Sequence, residues 1–264
     1  MSKHLLLITL LSAGSLMGAS PALAQGPCAN VPDHDALKAA LTSARNVANG
    51  GFNLDMWATV VNRDGIVCAV AFTGGDRGDQ WPGSRVISAQ KANTANAFSL
   101  PGLALSTANL YSAVQPGGSL YGLQHSNPVE TEVAYSGHPR NYGQANDPMV
   151  GNRIGGVNVF GGGLGLYNSE GVLVGAIGVS GDTSCADHNI AWRARNTLNL
   201  DFVPNGVAAI FGGDPTHKDN IIFDITSQPG QMPGVSTSGF GHPHCGPGPA
   251  AGETALAAAL PATR

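Results

Sequence analysis

The sequence predicts a mixed α/β protein of the α+β kind: an antiparallel sheet with helical cover. Three observations carry that prediction. Residues 56–72 hold two β-branched runs around Asn62-Arg63-Asp64-Gly65, and 164–181 repeat the arrangement around Asn168-Ser169-Glu170-Gly171. Both read as β-hairpins with glycine closing the turn. Segments with helical spacing stand before, between and after them. Hairpins make antiparallel strands, and interleaved helices need a sheet face to cover.

The N-terminus comes first in chain order. Lys3 and His4 precede an apolar run from Leu5 to Met17, and Ala22-Leu23-Ala24 gives the small-x-small pattern that signal peptidase cuts. Residues 1–24 are therefore expected to be a signal peptide, with Gln25 as the mature N-terminus. Loss of Lys3 takes the net charge from −4 to −5. An acidic balance argues against a nucleic-acid partner. The apolar run is short for a bilayer span, so no membrane association is expected after cleavage. The expected location is periplasmic or secreted.

In 33–51, Leu37, Ala40, Leu41, Ala44, Val47 and Ala48 fall on one helical face. Asp33 is placed to cap it, and Asn49-Gly50-Gly51 to stop it. The first hairpin follows, then a helix over 84–98 ended by Pro101. In that helix Lys91 shares a stripe with Ile87, Thr94 and Phe98. A lysine there is expected to snorkel to water, or else to meet an acidic group at the end of a pocket. Residues 102–156 are rich in Gly, Pro, Asn and Ser and read as a long loop or insertion, with one short helical stretch near 106–114. After the second hairpin a helix is expected over 184–199. From Pro204 the chain reads as a Gly/Pro-rich tail with one strand at 221–225 and an alanine-rich end. The domain boundaries read as 25–203 and a C-terminal extension, 204–264.

The four cysteines, Cys28, Cys68, Cys185 and Cys245, all follow the signal segment. In an oxidising compartment they suggest two disulfides. Three pairings exist, and Cys28–Cys68 with Cys185–Cys245 is preferred, because the second ties the tail back to the last helix. The rival reading is a zinc site drawn from Cys185, His188, His242, His244 and Cys245.

The junction 180–188 concentrates polar groups: Ser180, Asp182, Ser184, Asp187 and His188. Ser184 and Asp187 have capping-box spacing, so they read as structural. A phosphate loop is excluded by the missing Gly-Lys-Ser/Thr, and a nucleophile elbow because the last glycine comes one residue early. The helix beyond is more informative. Asp187, Ala191, Ala194 and Leu198 form its buried stripe. His188, Trp192 and Arg195 form a neighbouring one, which suits a flat, partly anionic ligand or an ordinary half-exposed face.

"TVVNRDG" (59–65), "AQKANTANAF" (89–98) and "GGGLGLYNSEGVLVGAIGVSG" (161–181), with Asp187 beyond, resemble the GlcG/HbpS-like family of haem-binding or haem-degrading domains. The resemblance runs from about 33 to 199. It implies a profilin-like fold, a five-stranded antiparallel sheet with helices on both faces, usually in a homo-oligomer, and binding of haem or a related tetrapyrrole; the sequence has no Cys-x-x-Cys-His, so the binding is expected to be non-covalent. Lys91 and Asp187 sit in matching motifs, but the family gives neither a fixed role, and it supplies no shared catalytic residue. From the residues, His188 is the first candidate for the iron, since imidazole is the commonest haem ligand. Trp192 would lie against the macrocycle and Arg195 would pair a propionate. His125 and His138, in 102–156, are reserve ligands, and His242 and His244 follow. Two further readings compete: an enzyme for a small organic acid using His188 and Asp187, and a structural oligomer without a ligand.

Overall fold

The computed structural model describes residues 26–228, 230–246 and 248–264. The expected signal segment lies outside them. Among the described residues no helix is long and apolar enough to cross a membrane.

Helix α1 (His34–Arg45) opens as the sequence predicts, with the Asp33 carboxylate accepting the Ala36 N–H at 2.9 Å. It ends earlier than expected, and Val47 and Ala48 are exposed. The first hairpin is β1 (Trp57–Asn62) and β2 (Val67–Phe72). The Asn62 side chain fixes its turn by accepting the N–H groups of Asp64 and Ile66. Helix α2 (Ser84–Phe98) follows. The second hairpin is β3 (Gly163–Tyr167) and β4 (Leu173–Ser180), and it leads into a later helix, Ser184–Thr197.

The two hairpins join into one antiparallel sheet of order β2-β1-β4-β3. Five strands were expected. Beyond β3 the described chain makes one parallel bridge, Tyr167 to Asp201, and then turns away as the Val203 N–H folds back onto the Asp201 carbonyl at 2.8 Å.

Side chains alternate across the sheet. Ala58, Val60, Ile177 and Val179 face α1 and the Ser184–Thr197 helix. Trp57, Val61 and Ala176 face α2, whose Val86, Ala89, Ala92 and Ala95 meet them. Helices therefore cover both faces. The α2 backbone lies unusually close to β4 at Gly178, where any Cβ would run into the Ser88 carbonyl.

Residues 102–156 hold short 3-10 turns and two short helices, α3 (Leu123–Ser126) and α4 (Thr131–Ala134). The segment is anchored rather than free. Ala134, Met149 and Ile154 join the α2-side core, and buried Asp147 forms a two-pronged ion pair with Arg85.

With the Ser184–Thr197 helix labelled α5, the tail adds α6 (Val207–Phe211), a hairpin of β5 (Ile225–Gln228) and β6 (Gln231–Ser236), and α7 (Ala250–Ala258). The strand expected at 221–225 is displaced: it begins at Ile225. Residues 219–222 instead pack against α5, with the Ile222 carbonyl accepting the His242 N–H at 2.8 Å. Both preferred disulfides are present, Cys28–Cys68 and Cys185–Cys245.

Candidate functional site

The α5 junction differs from its expected form by one residue. The N-cap is Thr183, whose hydroxyl accepts the Ala186 N–H, not Ser184. That shift puts Ala186 at the third helical position and frees Asp187 for other partners. One Asp187 oxygen accepts the Asp182 N–H at 2.9 Å. The other accepts from Lys91 Nζ at 2.7 Å. Lys91 does not snorkel. It is buried and also donates to the Val179 carbonyl at 3.1 Å. The acidic group it meets is the chain's own. Gly162, at φ +120°, permits the enclosure: a Cβ there would strike the Val179 carbonyl and press on Lys91 Nζ. Burial pushes the Asp187 carboxyl up to about 6, against the pull of the Lys91 ammonium.

The row His188, Trp192 and Arg195 is not half-exposed. Each is 2% accessible or less, because the tail lies over it. Arg195 is occupied by Asp219, at 2.6 and 2.8 Å, and also donates to the Gly165 carbonyl. Trp192 Nε1 donates to the Pro261 carbonyl at 2.8 Å. His188 Nε2 lies 3.1 Å from Asn220 Oδ1. The Asn220 amide nitrogen donates to the Ala257 carbonyl, and the Ile221 N–H donates to His188 Nε2 at 3.2 Å. His188 Nδ1 is buried with no partner among the described residues. Burial drives the imidazole down to about 3, so it is neutral at physiological pH.

His242 packs beside this cluster, its ring 5.1 Å from that of Tyr111, and burial lowers it to about 4. His244 stacks on Phe223 and meets Glu253 at 3.0 Å. Of the five residues in the zinc reading, Cys185, His242 and Cys245 come together, with the two sulfurs joined to each other. His125 is exposed on α3. His138 is exposed at the start of a 3-10 turn, its Nδ1 accepting the Arg140 N–H at 3.2 Å.

The open concavity with aromatic walls is elsewhere. A cleft of about 480 Å³ opens between the start of α2 and residues 135–142. Trp57, Pro82, Val86, Tyr135, Pro139 and Tyr142 line it. Its size and lining are those of small-molecule sites. Tyr135 is 65% exposed at its mouth, and Trp81, next to Pro82, is 53% exposed. Two cations border it. Arg85 stacks on the Tyr142 ring at 3.7 Å and is held by Asp147; Arg77 is half-exposed, 3.6 Å from Asp76. His138 is the chain neighbour of Pro139. A second groove, of about 510 Å³, runs between segments 112–119 and 230–239 and presents mainly Gly and Ser, without an aromatic face. The sequence reading did not find the aromatic cleft. Its walls come from 57, 82–86 and 135–142, which no short motif joins. The available signal was the density of aromatics, Tyr135 and Tyr142, around His138 in a segment read as loop.

The profile of the family described as "Haem degrading protein HbpS-like" matches residues 33–196. No curated protein matches the chain. Among solved structures, a PduOC–haem complex is similar at 23% identity and TM-score 0.44, over 64% of this chain and 96% of that one. Protein ORFY of Klebsiella pneumoniae is similar at 26% identity and TM-score 0.43, over 63% and 90%. HbpS of Streptomyces reticuli, as a double mutant, is similar at 17% identity and TM-score 0.41, over 71% and 99%.

Proposed function

We propose, from the premise that this chain belongs to the HbpS-like family of haem degrading proteins, that it binds haem or a related tetrapyrrole without a covalent bond, and does so in the aromatic cleft beside α2. The observation that carries the location is the contrast between the two regions. The α5 row is closed over by the tail, and Asp219, Asn220 and Pro261 occupy Arg195, His188 Nε2 and Trp192 Nε1. The cleft is open, apolar and flat-walled.

The residues there fit the group. Tyr135 and Tyr142 offer faces for a macrocycle. Arg77 stands at the rim for a propionate, as guanidinium pairs with carboxylates. His138 is the imidazole donor at hand, and ligation by Nε2 requires its ring to release the Arg140 N–H and carry its proton on Nδ1. Bound haem supplies an iron centre whose reactivity is set by the axial ligand and pocket polarity. Within this reading the chain's own residues bind the ring, orient its propionates and shield one face from water.

The same reading takes the chain as exported, consistent with two disulfides. It takes the four strands with the Asp201 bridge as the profilin-like five-stranded sheet, and the assembly as a homo-oligomer. Haemin titration tests the site. A saturable Soret shift at one haemin per chain is expected. Tyr135→Ala and Arg77→Glu should weaken it, and His188→Gln should leave it unchanged. Loss in His188→Gln with retention in both cleft variants would return the site to α5 and refute the cleft.

A further inference from the structure

A different group of residues lies where α5 meets the tail. Cys185 Sγ, Cys245 Sγ and a ring nitrogen of His242 all lie within 4.8 Å of one another. Two thiolates and an imidazole are the donor set of zinc sites that keep a position for water. We infer that the Cys185–Cys245 disulfide masks a zinc site, opened by reduction and completed by His242.

The tautomer of His242 supports this independently of the cysteines. Its Nδ1 lies 2.7 Å from the Pro243 carbonyl, an acceptor, so Nδ1 carries the proton. The lone pair is then on Nε2, whose protein contact is a long 3.4 Å approach of the Gly161 N–H. Imidazoles that bind metals are held this way, with the far nitrogen donating to a carbonyl or carboxylate. The ring is 1% exposed and is fixed against Tyr111.

The sulfurs are placed for the change. Cys185 is the second residue of α5, where the helix N-terminus favours a thiolate. The Cys185 N–H already points at Cys245 Sγ, at 3.1 Å, and the Ser184 hydroxyl lies 3.3 Å from the same sulfur. Two ligands of a tetrahedral zinc stand about 3.8 Å apart at Zn–S distances of roughly 2.3 Å. The sulfurs therefore need to separate by little once the bond is cut. His188 and His244 stay outside the set, held by Asn220 and Glu253.

The chemistry balances with a dithiol as reductant. It gives two electrons and two protons to the S–S bond and itself becomes a disulfide, leaving two thiols. Zinc then displaces both thiol protons to solvent and binds the thiolates and a His242 ring nitrogen. The metal takes over the link that the disulfide made between α5 and the tail, so the fold persists in either state.

Cobalt(II) is the probe. The full-length mature chain, with Cys28→Ser and Cys68→Ser to leave one cysteine pair, is reduced with a phosphine under nitrogen and titrated. One Co(II) per chain with a thiolate-to-metal charge-transfer band is expected, and none in the oxidised chain. His242→Gln should weaken binding at least about tenfold, the loss that even an outer partner causes. Far-UV circular dichroism follows the fold, and any helix lost on reduction should return with metal. Absence of the band, equal binding in His242→Gln, or a reduced chain that unfolds and is not restored by metal each overturns the inference.

Discussion

Lowering the pH from 7 to 5 should weaken the fold through two buried imidazoles. His188 is held neutral down to about 3 and His242 down to about 4, both by burial. In the unfolded chain each takes up its proton near 6.5. Their folded values are depressed, so the stability they leave intact is whole above about 6.5 and is lost as pH falls toward 4 and then 3. At pH 5 each has lost about 1.5 pH units at 1.36 kcal/mol, so about 2 kcal/mol apiece and about 4 together. Asp187 works the other way. Its folded carboxyl, raised to about 6 by burial, takes its proton before the unfolded one does. It returns about 1 kcal/mol over the same drop, leaving a net loss of roughly 3 kcal/mol. Urea denaturation at pH 7 and pH 5 reads the difference. In His188→Gln the starting stability falls, but the further loss on acidification should shrink by about 2 kcal/mol. An unchanged acid loss in His188→Gln, or a fold that gains stability between pH 7 and 5, would refute the burial argument.

Three other outcomes follow from the same contacts. Thr183→Ala should cost about 1 kcal/mol in urea denaturation while Ser184→Ala costs clearly less, since Thr183 makes the cap. Asp219→Asn should cost about 3–5 kcal/mol, because Arg195 is left charged and buried; Arg195→Met with Asp219→Leu should recover most of that loss. Replacing Cys185 and Cys245 by Ser together should lower stability by about 4 kcal/mol in the chain-entropy account of a loop that spans 60 residues, read as a fall in the denaturation midpoint.

The sheet was legible because its signals are local. Asn62 and Asn168 each lock a hairpin turn through bonds to N–H groups two and four residues on, and both turns can be read without knowing what lies across the sheet. The Asp33 cap is local in the same way. The α5 cap was missed by one residue because Ser184 with Asp187 satisfies the capping-box spacing as well as Thr183 does the N-cap. The Asp187 carboxylate is instead shared between Lys91, 96 residues away, and the Asp182 N–H, partners that the capping-box spacing does not reveal.

The candidate site failed to read for a related reason. On a helical wheel His188, Trp192 and Arg195 form a row, and the wheel is correct. It gives direction around the axis but not what lies in that direction. Residues 204–264 read as an extension because glycine and proline break every period in them, yet Asp219, Asn220 and Pro261 are the atoms that close the row. A free Arg195 fork and a salt-bridged one have the same sequence signature. Removing the cover should therefore reverse the assignment. A chain truncated after Val203 would expose His188, Trp192 and Arg195 together and leave Arg195 without Asp219. If such a chain stays folded and gains a second haemin equivalent lost in His188→Gln, the row is a ligand face that the tail keeps shut. If it unfolds, or binds only the equivalent weakened by Tyr135→Ala, the row is core, and its aromatic and cationic character serves the packing of the tail alone.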